Sequence, residues 1–187
     1  MRITTFNVNG VRSWYEHYRT CKSWSFDQTL DSLHSDIICI QETKTNERGK
    51  VDACILHPHR YKAYFGFPKR PKKIGHAGVA IFTKYTPTLV CDSILECGVD
   101  LEYDNTDDIS TLKKVDSEGR FIMCAFGPDL LVVNVYCTND GGENTEITLE
   151  RREERRVLFG FLKEMVKEKR KQFKNVFVMG DFNVVYH

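Results

Sequence analysis

The stretch 176-VFVMGDFNVVYH-187 starts as a buried strand and then changes character within three residues. Val176, Phe177 and Val178 are the β-branched and aromatic types that fit a pleated, covered surface. Gly180 ends the run. Asp181 and Asn183 then set a carboxylate and a carboxamide two residues apart, where strand gives way to loop. In sheet proteins the loops at the carboxyl ends of strands are where sites assemble, with contributions from several strands at once. The ending therefore predicts a central sheet strand with chemistry at its tip.

Six more runs of the same kind precede it: 2-RITTFNV-8, 36-DIICIQ-41, 61-YKAYFGF-67, 78-GVAIFT-83, 120-RFIMCAF-126 and 130-LLVVNVY-136. Each is bounded by glycine, proline, asparagine or aspartate, as strands are. The continuously apolar ones predict strands covered on both faces. Between them lie two helical patterns. One runs from Tyr15 to His34. The stronger runs from Glu146 to Phe173, with Val157, Leu158, Phe161, Leu162, Met165 and Val166 on one stripe. Its start, 150-ERREERR-156, reads as a solvated face with i,i+4 ion pairs. From Pro87 to Glu118 the text is acidic and weakly periodic, which predicts an insertion between core strands at about 87–118. Strands alternating with helices, some strands adjacent in sequence, predict a mixed α/β sheet protein.

Composition narrows the function classes. The 187 residues are 41% apolar and carry a net charge of +1, so no global field selects nucleic acid or membrane. Seven cysteines without metal-finger spacing read as reduced thiols. The amino terminus has no apolar signal region, and no stretch nears the roughly 18–20 apolar residues needed to span a bilayer. The motifs G-x-S-x-G and G-x-x-x-x-G-K-[ST] are absent. His57 and His59 in "LHPHR" read as a surface turn around Pro58.

Four strand tips deliver polar side chains. The tips are 6-FNVNG-10 with Asn7 and Asn9, 41-QETK-44 with Glu42 and Lys44, 132-VVNVYCTND-140 with Asn134, Tyr136 and Asn139, and 179-MGDFN-183 with Asp181 and Asn183. A lone asparagine after a strand is usually a turn residue. Four tips bearing carboxylate, carboxamide or phenol predict convergence on one phosphorus atom and one hard cation. Mg²⁺ takes oxygen ligands, commonly one or two carboxylates with water and phosphate in the remaining positions, and Glu42 and Asp181 are of that type.

The ordered set FNVNGVRSW, QETK, GHAGVAIFTK, DSEGR, NVYCTND and GDFN resembles the motif series of exonuclease III-type apurinic/apyrimidinic endonucleases, in the endonuclease–exonuclease–phosphatase superfamily. DSEGR, NVYC and the acidic excursion look most like the AP endonuclease 2 branch. The resemblance implies a four-layer α/β/β/α sandwich and Mg²⁺ (or Mn²⁺) as cofactor. It implies a DNA base-excision repair nuclease that incises 5′ to abasic sites and removes material from 3′ ends of double-stranded DNA. It makes Asn7, Tyr136, Asp181 and Asn183 catalytic, assigns Glu42 and Asn9 to the metal, and places Arg12, Lys44 and Asn139 on DNA; His76, in GHAG where relatives often have Tyr-Ser, reads as a DNA-phosphate contact or as a turn residue. It also implies a nuclear location and, through a tail beyond the present sequence, a sliding-clamp partner. The alternatives are a retroelement endonuclease, an inositol-phosphate phosphatase, or a non-catalytic DNA-binding fragment.

Three features depart from the family pattern or stay open. Thr138 stands where relatives have proline. The block 69-KRPKK-73 reads as a DNA contact, an import signal or an ordinary basic loop, whereas Glu118 and Arg120 of SEGR read as a structural charge pair. The family's terminal Ser-Asp-His segment has no counterpart, so the chain reads as the amino-terminal portion of one domain whose second half, and most of the partner sheet for VFVMGDF, lies elsewhere. That reading predicts a chain that is aggregation-prone and inactive by itself.

Overall fold

A computed structural model of the protein describes residues 1–45, 52–69, 77–99, 106–139 and 146–184. The chain runs β1 (Ile3–Asn7), α1 (Val11–Lys22), α2 (Phe26–Asp31), β2 (Ile37–Gln41), α3 (Ala53–Leu56), β3 (Lys62–Gly66), β4 (Val79–Thr83) and β5 (Leu89–Cys91). It continues through α4 (Thr106–Asp116), β6 (Phe121–Phe126), β7 (Leu130–Tyr136), α5 (Glu146–Lys169) and β8 (Asn175–Asp181). All seven quoted runs are strands.

The strands form two four-stranded sheets, ordered β1-β2-β4-β3 and β5-β6-β7-β8. Alternation along each strand sorts side chains between two environments. Ile37, Cys39, Val79, Ile81, Ile122, Cys124, Leu130 and Val132 meet between the sheets. Their neighbours Ile38, Ile40, Ala80 and Phe82 face Val11, Tyr15, Phe26 and Leu30 of α1 and α2. Phe121, Met123, Leu131, Val133 and Val135 face Leu112 and Val115 of α4 and Val157, Leu158, Phe161, Leu162 and Met165 of α5. The result is the expected four layers, helices outside and sheets inside. At about 1.5–3 kcal/mol per fully buried large apolar side chain, these three clusters hold the sandwich together.

Three expectations are corrected. The sheet that β8 belongs to is faced by β1–β4 of this same chain, because the inward residues of β2 and β4 meet those of β6 and β7. Over β8 that cover is incomplete, as expected: none of its residues is buried and Phe177 is 46% exposed, and among the described residues the strand pairs only with β7. The strand is thus an edge here rather than central. The segment 87–118, expected as an excursion between core strands, contributes to the fold itself, with β5 at a sheet edge and Leu112 and Val115 of α4 in the core. The helical stretch 15–34 is two helices. Ser23 turns left-handed at φ 55°, and Ser25 starts α2 with a capping box in which its side chain accepts from the Gln28 N–H.

The seven cysteines are all free. Burial pushes the Cys124 thiol up to about 12 and that of Cys97 to about 11, so both are inert packing groups at neutral pH. No helix of the described residues is long and apolar enough to cross a membrane.

Candidate active site

The pairings β1∥β2 and β7∥β8 are parallel, and hydrogen bonds from Asn7 to Asp181 and from Tyr136 to Glu42 show that both pairs present their carboxyl ends at the same end of the sandwich. Asn7 is the last residue of β1, Tyr136 of β7 and Asp181 of β8, while Glu42 follows β2 directly. Beneath them the inter-sheet face closes with a polar bridge. Gln41 Nε2 donates to Asn134 Oδ1 at 2.6 Å, and Asn134 Nδ2 donates to the carbonyls of Ile40 and Ala80 at 3.0 and 2.9 Å. Both side chains are buried, so these bonds fix how β2, β4 and β7 sit relative to one another.

Above that bridge the side chains interlock. Asn7 Nδ2 donates to Glu42 Oε1 and to Asp181 Oδ2, each at 2.8 Å. The two accepting oxygens, one from each sheet, are therefore no farther apart than twice 2.8 Å. Tyr136 donates its phenol proton to the same Glu42 Oε1 at 2.8 Å. Lys44 Nζ lies 3.0 Å from Glu42 Oε2 and also donates to Asn9 Oδ1. Asn9 in turn gives its N–H to Asn7 Oδ1 at 2.9 Å. On the second sheet, Asn183 donates its N–H to Asp181 Oδ1 at 3.0 Å and its amide to the Cys137 carbonyl at 2.7 Å.

The electrostatics follow from these contacts. Partial burial works against the Glu42 charge, but hydrogen bonds from Asn7, Lys44 and Tyr136 outweigh it and hold the carboxyl below its usual range. Burial first, and then the neighbouring Glu42 carboxylate, push the Tyr136 phenol up to about 12. At neutral pH the site holds an ionised Glu42 and a protonated Tyr136.

Backbone strain concentrates here. Among the described residues six non-glycine positions have positive φ, and four of them are Asn9, Glu42, Lys44 and Asn183. Left-handed backbone at such residues persists only where the surroundings enforce it. The enforcement is visible in the loops. Gly10 N–H donates to the Glu42 carbonyl at 2.7 Å, Val11 N–H to Thr43 at 3.1 Å, Thr43 N–H to Gly78 at 3.0 Å and Lys44 N–H to Ala77 at 2.9 Å. Gly78, at φ 94°, is required by this packing: a Cβ there would collide with the Thr43 hydroxyl. Gly180 is required for another reason, since a Cβ would drive into the Val135 carbonyl and part β8 from β7.

Of the residues expected at the site, Asn7, Glu42, Tyr136 and Asp181 share direct hydrogen bonds, and Asn9, Lys44 and Asn183 join them through one more contact. Arg12 is exposed in the first turn of α1, next to the Gly10–Val11 loop contacts. Asn139 is exposed beyond β7, and its carbonyl accepts from Arg151 at 3.1 Å. His76 lies outside the described residues. So do Arg70–Lys73 of the basic block; its first residue, Lys69, is committed to buried Asp116 at 2.9 Å. His59 belongs to a turn whose backbone N–H bonds Asp27 at 3.0 Å, and no group of three or more His, Cys, Asp or Glu is placed to hold a metal among the described residues.

The charged run of α5 is mostly the solvated face expected, with Glu150, Arg151, Arg152, Glu153 and Arg156 exposed and Glu153 paired with Arg156, but it departs from that reading at Glu154 and Arg155. Glu154 is only 4% exposed, accepts from Thr138 Oγ1 at 3.0 Å and pairs with Lys114. Arg155 donates to the Asn183 carbonyl at 2.9 Å and Arg151 to that of Asn139. Both loops of the second sheet's tip are therefore tied to this helix. Thr138, at the position where proline was expected, uses its hydroxyl for this attachment. Glu118 and Arg120 are a buried pair at 2.8 Å, as expected, but Arg120 also lies 4.8 Å over the Tyr136 ring.

Known proteins resemble the chain along its whole length. Residues 4–187 match the model of the Endonuclease/Exonuclease/phosphatase family. The chain is 28% identical over 209 residues to the Bos taurus DNA-(apurinic or apyrimidinic site) endonuclease 2, covering all of itself and 39% of that protein. It is 30% identical to the Bacillus subtilis exodeoxyribonuclease, again over its whole length and 60% of the relative. Among solved structures, the Xenopus laevis APE2 catalytic domain superposes with a TM-score of 0.71 at 25% identity, covering all of this chain and 60% of that one. The chain thus spans about two fifths of the length of the bovine relative.

Proposed function

The chain belongs to the endonuclease/exonuclease/phosphatase family, and from that premise we propose that it carries the phosphodiester-hydrolysing centre of a DNA repair nuclease acting at abasic sites and 3′ ends. The observation that carries the proposal is the Asn7 amide joining Glu42 of one sheet to Asp181 of the other. The relatives named above as an abasic-site endonuclease and an exodeoxyribonuclease support the choice of substrate. A nuclear location is part of the same proposal.

The donor set suits a hard divalent cation. Two carboxylates and the neighbouring amide oxygens are all-oxygen ligands, and two carboxylates match the usual Mg²⁺ arrangement. Glu42 would hold the ion, with Asn9 and Asp181 near it. Such a cation, when bound, neutralises charge growing on the phosphoryl oxygens.

The remaining work falls to the chain itself. Asp181, with one oxygen on the Asn7 amide and the other on the Asn183 N–H, has a fixed orientation from which it directs an attacking water and takes its proton. The water oxygen bonds to phosphorus as the P–O3′ bond on the far side breaks, and the departing oxygen takes a proton from solvent. Tyr136 remains protonated at neutral pH and spends its one proton on Glu42 Oε1, which fixes the carboxylate beside the reacting phosphate. Lys44, Arg12 and Asn139, exposed around the rim, face the DNA backbone in this reading.

The test is incision of a duplex with one abasic site by the full chain in Mg²⁺, set beside phosphate release from a soluble phosphoinositide. Both sheets lie within this chain, so nicking of the duplex that Glu42→Gln and Asp181→Asn both abolish is expected, and it would overturn the sequence-based expectation of a chain inactive by itself. Turnover of the phosphoinositide without nicking would replace this reading by a phosphatase.

A further inference from the structure

Arg120 immediately precedes β6 and stands opposite Tyr136 at the end of β7, where the Tyr136 N–H donates to the Arg120 carbonyl at 2.9 Å. Its guanidinium makes three separate contacts. Nε donates to Glu118 Oε2 at 2.8 Å, Nη1 donates to the Tyr136 carbonyl at 3.2 Å, and the planar group lies over the Tyr136 ring with its carbon 4.8 Å from the centroid. Arg120 and Glu118 are each 8% exposed. An ion pair taken out of water is a weak source of stability, because desolvation offsets most of the attraction. A rigid fork bonded at two points and stacked on a ring does supply orientation, and lysine cannot replace it in that role. The opposite edge of the same tyrosine reaches Glu42 at 2.8 Å.

We infer that Arg120, itself held by Glu118, is a positioning residue that locks the Tyr136 ring so that its hydroxyl stays on Glu42. Arg120 touches none of the other site side chains among the contacts described above, so it acts through Tyr136. The guanidinium presses the ring from one face while the Tyr136 backbone is pinned to β6, leaving the phenol one direction in which to point. Removing the fork frees the side chain to swing about χ1, which lets the hydroxyl leave Glu42. The consequence for turnover rests on the nuclease reading given above; the restraint on the ring does not.

The experiment has two arms on the full chain. In the first, 3-fluorotyrosine is placed at position 136 alone and its ¹⁹F resonance is recorded without DNA or metal, in the parent and in Arg120→Gln, Arg120→Lys and Glu118→Gln. The expected result is a signal that moves and sharpens most in Arg120→Gln, less in Arg120→Lys and least in Glu118→Gln. The two milder variants keep the comparison intact where glutamine prevents folding. A resonance unchanged in every folded variant overturns the inference. In the second arm, incision kinetics on the abasic duplex should show kcat lower by about ten- to a hundredfold in Arg120→Gln with KM within about twofold, and partial recovery in Arg120→Lys. A loss in KM alone assigns Arg120 to DNA contact and also overturns it. A ¹⁹F response in a chain that cuts no abasic DNA sustains the inference and removes the nuclease reading instead.

Discussion

The two sheets share one pairing scheme and hold their tips by different means. Read from its site-bearing edge, each has a parallel pair followed by two antiparallel pairings: β1∥β2 then β4 and β3, β8∥β7 then β6 and β5. In the first sheet the tip is fixed by backbone. The left-handed residues Asn9, Glu42 and Lys44 are clasped between the Gly10–Val11 and Ala77–Gly78 loops by main-chain hydrogen bonds. In the second sheet the tip is fixed by side chains, with Arg151, Glu154 and Arg155 of α5 gripping the loops after β7 and β8, and Arg120 behind Tyr136. A backbone clasp tolerates side-chain changes but no added Cβ. A side-chain grip shows the opposite sensitivity.

The largest effect expected is chemical and symmetric. Glu42→Gln and Asp181→Asn should each lower incision by roughly a thousandfold while DNA affinity, read by fluorescence anisotropy, changes only a few-fold. Unequal losses would show that one sheet dominates the chemistry. Next, Gly78→Ala should destabilise by about 2–4 kcal/mol, since positive φ and collision with Thr43 act together. Gly127→Ala has positive φ but open space around it, and should cost about 1 kcal/mol by urea denaturation. Equal costs would mean that the clasp is slack.

On the other side, Arg155→Ala should reduce kcat about tenfold with little change in melting temperature, because Asn183 keeps its bonds to Asp181 and Cys137. A large drop in melting temperature would make Arg155 a stability residue and blur the contrast. Thr138→Val, which removes one donor from buried Glu154 while Lys114 remains, should cost about 1–2 kcal/mol. The smallest effect concerns acid. Burial tends to raise the Glu42 carboxyl, yet Asn7, Lys44 and Tyr136 bring it below its unfolded value of about 4.3. Its stabilisation is therefore complete above that value and lost as pH falls through the depressed folded one. Urea midpoints measured from pH 6 down to 2 should decline more steeply in the parent than in Glu42→Gln.

Strand identity was readable because alternation and continuous burial leave direct marks on composition. Runs such as 37-IICI-40 and 130-LLVV-133 lie between two apolar layers, and nothing polar interrupts them. The convergence of Asn7, Glu42, Tyr136 and Asp181 was equally legible, since each closes or directly follows such a run. Short elements hid. β5 has three half-exposed residues, and α4 buries few of its side chains, Leu112 and Val115 among them, within acidic text. The break between α1 and α2 did carry a signal, the Ser25-x-x-Gln28 capping box, which outranks helical periodicity. The role of 150-ERREERR-156 was not recoverable from sequence. Whether a charged helical face meets water or a loop from another sheet depends on tertiary packing, and only the buried Glu154 reveals it.

The bond between Asn7 and Asp181 joins residues 174 positions apart. A ribosome adding about 5–20 residues per second needs roughly 10–35 s to make the second partner after the first. Through that interval the nascent chain holds Asn7 and Glu42 without Asp181. Docking of β8 completes the hydrogen-bonded cluster, so the joined site is among the last features of the described fold to form.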